Sequence, residues 1–89
     1  MNLEPNDPAS VWHPSYRAAI MVLGAVRREL KVTQQDLAKL LGWPRYRCSK
    51  IETGDRQLYF AEFVAIAEVL GVDPCELLAQ VLRWRTPAR

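Results

Sequence analysis

The segment from Thr33 to Gly54, TQQDLAKLLGWPRYRCSKIETG, constrains the fold of this chain more than any other segment. Its first half predicts a short helix over residues 34–41. Thr33 precedes this helix and can cap it through its hydroxyl, and Asp36 completes a capping box three residues later. Gly42 follows, and glycine is suited to the left-handed conformation that commonly ends a helix.

The second half of the segment predicts a helix over residues 44–53. Pro44 fits the first helical position, where no backbone donor is needed, and Gly54 fits the position after the last turn. Cys48 and Ile51 lie three residues apart and form a narrow apolar edge. The other positions are mostly polar or cationic: Arg45, Tyr46, Arg47, Ser49 and Lys50. The pattern indicates a helix that buries one edge and presents the rest of its surface to an anion.

Three further helices and no strand are predicted. Apolar residues at the helical period predict a long first helix over residues 16–30, with Ser15 as a candidate cap. A fourth helix is expected over residues 60–70. An aspartate followed by proline predicts the start of a fifth helix over residues 74–84. We therefore expect an all-α, compact five-helix domain over residues 14–84.

Both ends of the chain are predicted to lie outside this domain. Residues 1–13 contain two prolines and several turn-forming polar residues, which predict an extended N-terminal arm. Val11 and Trp12 are expected to fold back on the domain or to meet a partner chain, because the arm carries acids and no cation. Residues 85–89 form a basic C-terminal tail. The apolar side of the first helix is wider than a surface helix needs, so the arm or another subunit is expected to cover part of it.

The net charge of +2 is small, but the charges are unevenly distributed. Cations outnumber acids over residues 27–56, where Arg27, Arg28, Lys31, Lys39, Arg45, Arg47, Lys50 and Arg56 stand against Glu29, Asp36, Glu52 and Asp55. The charged residues over 57–82 are all acids: Glu62, Glu68, Asp73 and Glu76. This asymmetry favours a polyanion bound on one side of the domain, although a solvated charge pattern without a partner has the same composition.

The sequence argues against a membrane protein, a metal site and an enzyme. No apolar run approaches the ~18 residues of a membrane span, and the chain does not begin with a secretory pattern, so we expect a cytoplasmic protein. Cys48 and Cys75 fall in apolar helical patterns and are expected to be buried thiols. His13 is the single histidine and shares no recognisable motif with a nucleophile. We therefore expect no cofactor, no metal and no catalytic residue.

Residues 23–78 resemble the lambda-repressor-like helix-turn-helix family, also called the Cro and Xre type. The resemblance rests on residues in the predicted helices and in the turns between them: Arg27, Thr33, Gln34, Asp36, Leu37, Ala38, Gly42, Ser49, Lys50, Ile51, Glu52, Gly54, Ala67, Leu70, Gly71, Val72, Asp73 and Pro74. It covers about two-thirds of the chain and contains no gap from Gln34 to Gly54. The resemblance implies binding of double-stranded DNA, with the helix over residues 44–53 in the major groove.

The resemblance also implies roles for individual residues. Four residues match positions that face the bases: Arg45, Tyr46, Ser49 and Lys50. Gln34 matches a position that holds a phosphate at the start of a helix, and Thr53 matches one that approaches the DNA backbone. Arg27 and Glu52 match a mostly buried ion pair between the first helix and the recognition helix, which gives both charges a structural role.

The chemistry of the side chains refines these roles. Arg45 can donate two parallel hydrogen bonds to the acceptor edge of guanine, and such a pair discriminates between bases by ~1–3 kcal/mol. Tyr46 can touch a thymine methyl group or bind a phosphate. Arg47 points toward the flank of the helix and is expected to clamp a phosphate, whereas Lys50 can reach either a base or a phosphate.

The chain departs from the family pattern at three positions. Pro44 stands where a small polar cap is usual, so the cap hydrogen bond is lost at a cost of ~1 kcal/mol. Trp43 stands where an aliphatic residue is usual and must pack between helices or lie against the DNA backbone. Lys31 stands where glycine is common.

A homodimer is expected because one such module covers a single half-site. Relatives pair through the fourth and fifth helices, and the matching candidates are Leu77, Val81, Leu82 and Trp84. For Leu77 and Val81 the alternative is a place in the core. Two other functions remain open on the same fold. An antitoxin-type regulator could hold a protein partner through the N-terminal arm or the C-terminal tail, and a protein-protein adaptor could use its tryptophans and the wide first helix. The cations of the recognition helix argue against the adaptor, because they would need a matching acidic surface.

Overall fold

A computed structural model of the chain describes Glu4 and residues 7–85. These residues form five α-helices and no strand, which confirms the predicted all-α fold. The helices are α1 (Pro14–Glu29), α2 (Gln34–Leu41), α3 (Arg47–Thr53), α4 (Phe60–Val69) and α5 (Pro74–Trp84). None of them is long and apolar enough to cross a bilayer.

The core lies where α1, α4 and α5 pack around the pair formed by α2 and α3. Its most deeply buried side chains come from every helix: Val22, Leu37, Ala38, Cys48, Ile51, Ala67, Leu77 and Val81. Helix α1 lies mainly against α5 and also contacts α3, whereas α2 contacts both α3 and α4. The buried edge of α3 is the one predicted from its sequence, so its polar positions remain on the surface.

The ends of α2 follow the predicted local signals. The Thr33 hydroxyl accepts a hydrogen bond from the Asp36 amide at 2.9 Å, and the Asp36 carboxylate accepts one from the Thr33 amide at 3.2 Å. The hydroxyl and the backbone amide of Thr33 both favour the ionised form of the Asp36 carboxylate and hold its pKa below its ordinary value. Gly42 has a φ of 69°, which turns the chain sharply and allows the Trp43 amide to donate to the Ala38 carbonyl.

The segment before α1 differs from the expected extended arm. Residues 7–13 form consecutive turns, in which the amides of Ser10 and His13 donate to the carbonyls of Asp7 and Ser10. Ser15 is not the cap of α1, because the His13 imidazole accepts a hydrogen bond from the Ser15 amide at 3.1 Å. A local side-chain acceptor therefore replaces the predicted cap. The tail over residues 86–89 and the first residues of the arm lie outside the described residues.

The start of α3 also differs from the prediction. The helix begins at Arg47 rather than Pro44, and Arg45 and Tyr46 lie in the turn before it. The Arg47 amide donates to the Pro44 carbonyl three residues back, which tightens this turn too much for a regular α-helical start. No side chain caps the helix.

The two cysteines have different environments. Cys48 is buried on the inner edge of α3, and burial raises the pKa of its thiol. The prediction that Cys75 is also buried is wrong, because this residue lies in the first turn of α5 with its side chain exposed.

Candidate nucleic-acid interface

A polar recess opens between the start of α2 and the turn before α3. Its volume is about 490 Å³, and six residues line it: Thr33, Gln34, Gln35, Arg45, Tyr46 and Ser49. Arg45 and Tyr46 are exposed at its edge, whereas Ser49 is half-buried. The structure therefore brings together three of the four residues expected to face bases and places them beside the start of α2.

The fourth residue, Lys50, is exposed on α3 outside the recess. Thr53 lies further along the same helix, where its hydroxyl donates to the Lys50 carbonyl at 3.2 Å and to the Asp55 carboxylate at 3.1 Å. The hydroxyl that is expected to approach the DNA backbone is thus hydrogen-bonded to a carboxylate within the protein. The hydroxyl has a single hydrogen, so Thr53 can donate to a phosphate only by giving up both of these contacts.

Glu52 holds α1, α2 and α3 together through three hydrogen bonds. Arg27 donates to it twice, from Nε to Oε2 at 2.7 Å and from Nη2 to Oε1 at 3.0 Å. Gln34 donates from Nε2 to Oε1 at 2.9 Å. The remaining guanidinium nitrogen of Arg27 donates to the Val32 carbonyl at 2.8 Å. Because the Arg27 side chain is only 9% exposed and that of Glu52 is 17% exposed, this ion pair is largely shielded from water.

The hydrogen bond from Gln34 changes what this residue can do. The side-chain amide of Gln34 is hydrogen-bonded to Glu52. The group of Gln34 that remains for the expected phosphate contact is its backbone amide, at the first position of α2. Amides in the first turn have no partner within a helix and point at an incoming anion. Gln35 follows at the second position, is exposed, and lines the same recess as Arg45.

Arg47 is not a free cation on the flank of α3. Its guanidinium lies 5.1 Å from the centre of the Trp43 ring, and its Nη1 lies 3.9 Å from Glu62 Oε2. The Trp43 side chain is half-buried against the core, so these contacts join the turn before α3 to α4. Arg47, which is expected to bind a phosphate, thus contacts Trp43 and Glu62 within the protein.

Glu62 is the centre of a second charged cluster. Arg56 donates to both of its carboxylate oxygens, at 2.9 and 3.0 Å, and the Tyr59 amide donates to Oε1 at 3.0 Å. Partial burial favours the neutral acid, but the hydrogen bonds from Arg56 and Tyr59 and the charges of Arg56 and Arg47 outweigh it. The pKa of Glu62 therefore lies below its ordinary value.

Comparison with known proteins decides the family. A family model described as helix-turn-helix matches residues 23–77, which is more than half of the chain. The chain belongs to the lambda-repressor-like helix-turn-helix family. The family is one of DNA-binding regulatory domains, and α2 and α3 are the helices of its motif. No curated protein and no solved structure matches the chain significantly.

The structure adds residues to the surroundings of α2 and α3 that the sequence pattern did not single out. Gln35 faces the recess, and its only signal in the sequence was the doubled glutamine at the start of α2. Arg56 and Glu62 lie six residues apart across the loop before α4, and their pairing has no helical spacing that could reveal it.

The four residues expected at a dimer interface fall into three environments. Leu77 and Val81 are 0% and 2% exposed and belong to the core, which is the alternative that the sequence left open for both, and Val81 also lines the apolar groove described next. Leu82 is 46% exposed and lines an apolar groove of about 460 Å³ between α1, α4 and α5. Trp84 is exposed on a different side of α5, beside Met21 and Gln80.

The apolar groove has a prominent residue on its edge. Phe60 begins α4 and is 83% exposed, and Leu78 on α5 is 49% exposed. Phe63 and Val64 form part of the groove wall between them. An exposed aromatic ring thus lies next to a groove of apolar lining on the same surface.

Proposed function

We propose that this protein is a transcriptional regulator that binds double-stranded DNA as a homodimer and places α3 and the turn before it in the major groove. The observation that carries the proposal is the polar recess at the start of α2. It presents Arg45, Tyr46 and Ser49 beside first-turn amides, on a helix pair whose other side is held in place by Glu52.

The residues around the recess divide into base contacts and phosphate contacts. Arg45 reads a guanine through two parallel hydrogen bonds, and Tyr46 touches an adjacent thymine methyl group or phosphate. Ser49 is small and lets the helix sit deep in the groove. Lys50, exposed outside the recess, contacts the flanking base or phosphate. These four residues supply the sequence-dependent part of binding.

Phosphate contacts position the domain on the duplex. The backbone amides of Gln34 and Gln35 bind one phosphate at the start of α2, where the helix dipole favours an anion. Thr53 contacts the backbone once its hydroxyl gives up both of its contacts within the protein. Arg47 acts by positioning the turn before α3, since its guanidinium is already held by Trp43 and Glu62.

The homodimer forms through the apolar groove between α1, α4 and α5. Phe60 of each protomer enters the groove of its partner, so one two-fold axis uses the same surface twice. Leu78 and Leu82 lie at the edge of the contact, and both are about half exposed in the protomer. Burial of these apolar side chains supplies the driving force for association.

Selection of bound duplexes from a random-sequence DNA pool tests the proposal. We expect enrichment of one sequence with two inverted half-sites about one helical turn apart, since a two-fold dimer presents two recognition helices. A pool that stays random after repeated rounds with the folded protein would contradict sequence-specific binding.

A protein-adaptor role is a second candidate, favoured by the patch that contains Trp84. Trp84 is 69% exposed and Met21 is 64% exposed, and neither lines the groove of the proposed dimer. On this reading the Trp84→Ala variant loses a protein partner. If DNA binding and dimerisation also changed in this variant, the patch would belong to the DNA-binding function instead.

A further inference from the structure

A cation and an exposed aromatic ring lie at the C-terminal end of the recognition helix, outside the residues that the proposed function uses. The Arg17 guanidinium lies 4.8 Å from the centre of the Trp12 ring, which is 61% exposed. A Cβ atom added to Gly54, which ends α3, would lie only 3.2 Å from Arg17 Nη1. The sequence separates Arg17 from α3 by some thirty residues, and the fold brings the two together.

The surrounding packing fixes this arrangement. The Tyr16 hydroxyl accepts a hydrogen bond from the Leu58 amide at 2.7 Å, so the start of α1 is attached to the loop that follows α3. On the other side of Arg17, Ser10 is buried and the turns over residues 7–13 hold Trp12 in position. The guanidinium is therefore stacked before any ligand arrives, which reduces the entropy lost on binding.

The electrostatics of this end of α3 require a cation if DNA is to lie against it. The last carbonyls of a helix carry partial negative charge, and the exposed carboxylate of Asp55 adds a full one. Among the residues that the structure describes, Arg17 forms no ion pair. Its charge is thus available to an external anion rather than cancelled within the protein.

The dimensions of the duplex are compatible with a phosphate at this end of α3 in the proposed complex. Seven residues of α3 span ~10 Å, and the major groove is ~12 Å wide. A helix of this length that lies across the groove has one sugar-phosphate strand near each end. In this arrangement the start of α2 and the recess contact one DNA strand, and Arg17 lies at the end of α3 that is near the other DNA strand.

We propose that Arg17 and Trp12 form a second phosphate-binding site, which contacts the DNA strand opposite the one held at the start of α2. The proposal rests on the DNA binding proposed above. Arg17 donates its hydrogen bonds to a phosphate oxygen, and the Trp12 ring holds the guanidinium in the required orientation. The two sites together clamp the major groove from both sides of the recognition helix.

Binding titrations at several salt concentrations test the site. The full chain, the Arg17→Gln variant and the Arg83→Gln variant are compared by fluorescence anisotropy on a selected duplex of about 30 base pairs, which spans two half-sites. Arg83 is a matched control, because it is exposed on α5, which does not form the recognition surface. Between about 50 and 200 mM salt, the slope of log K against log salt should fall by about one per protomer for Arg17→Gln alone.

The outcomes separate the site from the proposed function. If the unmodified protein binds no duplex, the proposed function fails. If it binds and Arg17→Gln keeps both the affinity and the slope of Arg83→Gln, Arg17 only neutralises the end of α3 and the phosphate site is overturned. Arg17→Lys should restore most of the slope, because it restores the charge.

Tryptophan fluorescence provides a second measurement that does not depend on the stability of the Arg17→Gln variant. In a Trp43→Phe/Trp84→Phe protein, Trp12 is the single tryptophan. Saturation with the selected duplex should quench or shift its emission, since the ring lies beside the bound phosphate. Unchanged emission under saturating DNA would overturn the site.

Discussion

Glu52 connects three helices through its side-chain carboxylate. Its carboxylate joins a nearly buried arginine of α1 to the first residue of α2, while its own backbone belongs to the recognition helix. Such a pair contributes little as an isolated attraction, because both charges lose their hydration. Removal of one partner is costly, since the other charge is then left in a poorly hydrated site.

We expect the Glu52→Ala variant to lose about 3 kcal/mol of unfolding free energy, because Arg27 remains largely buried without its carboxylate. Lys50→Ala is the matched control, because Lys50 lies on the same helix and is exposed. This substitution should change the unfolding free energy by less than about 0.5 kcal/mol. Urea unfolding of both variants measures the difference. Equal midpoints would show that the ion pair is not structurally important.

Lys31 is the one residue other than glycine in a left-handed conformation within the described residues. Its φ is 64°, at the position after α1 where the family commonly has glycine. This conformation costs an L-residue about 1 kcal/mol, because its Cβ atom lies too close to the following carbonyl oxygen. Lys31→Gly should therefore raise the unfolding free energy by up to this amount. Lys31→Ala, which keeps a Cβ atom, should give no such gain, and a larger gain from alanine than from glycine would contradict the backbone explanation.

Individual residues were predicted well where their partners are close in sequence. The Thr33 and Asp36 capping box and the left-handed Gly42 depend on a few neighbouring residues, so spacing alone predicts them. The contacts of Arg47 and Gln34 could not be predicted in this way. Arg47 reaches Glu62 across the loop before α4, and Gln34 reaches Glu52 on another helix, so both depend on tertiary packing.

At the scale of helices, the Glu62 cluster connects the recognition helix to α4. Arg47 is the first residue of α3 and Arg56 lies in the loop that leaves it, and both cations face one carboxylate at the start of α4. The cluster therefore fixes both ends of α3 relative to the body of the domain. A single proton on Glu62 weakens the contacts at both ends.

The lowered pKa of Glu62 makes this cluster sensitive to pH. The ordinary value is 4.5, and the folded value lies below it, so the folded state favours the ionised form. The stabilisation is fully present above the unfolded value and is lost as the pH falls through the folded value. The difference in unfolding free energy between the unmodified protein and Glu62→Gln should be constant near neutral pH and shrink below about pH 4.5.

Glu68→Gln is the control for this titration, because Glu68 is exposed on the same helix. Denaturant unfolding of the unmodified protein and both variants from neutral to acidic pH measures the difference. A constant gap between the unmodified protein and Glu62→Gln at all pH values would mean that the carboxylate charge does not contribute to the cluster.

The helix boundaries show how far local sequence patterns determine the elements. Apolar periodicity and capping signals predicted α2 and α5 at their observed limits. They misplaced the starts of α1 and α3, where His13 supplies an unusual cap and the turn after Pro44 tightens. Histidine is rarely considered as a cap, and a tight turn and the first turn of a helix have similar sequence requirements, so neither difference was visible in the pattern.

At the scale of the whole molecule, α5 separates two apolar surfaces. Its inner side, which includes Leu77 and Val81, fills the core, and its outer residues divide between the groove and the patch around Trp84. Amphipathic periodicity identified the apolar positions of α5 correctly. It could not distinguish a residue that closes the core from one that faces a second protomer, because both are apolar.

The proposed dimer predicts that a charge in the groove separates the protomers. Phe60→Asp should convert a dimer to a folded monomer, since it removes the exposed ring and places a carboxylate in an apolar contact. Trp84→Asp is the matched control on the other patch and should leave the dimer intact. Sedimentation velocity measures the oligomeric state of both variants. If only Trp84→Asp dissociated the dimer, the interface would lie on the other side of α5.

In the proposed complex, the recess at the start of α2 and the turn before α3 read DNA sequence. Anisotropy titrations of the unmodified protein, Arg45→Ala and Arg83→Ala on a selected duplex and on an unrelated duplex test it most directly. We expect Arg45→Ala to weaken specific binding by about 1–3 kcal/mol and to reduce the preference for the selected duplex, while Arg83→Ala leaves both unchanged. Equal binding of both duplexes by all three proteins would show that this surface does not read DNA sequence.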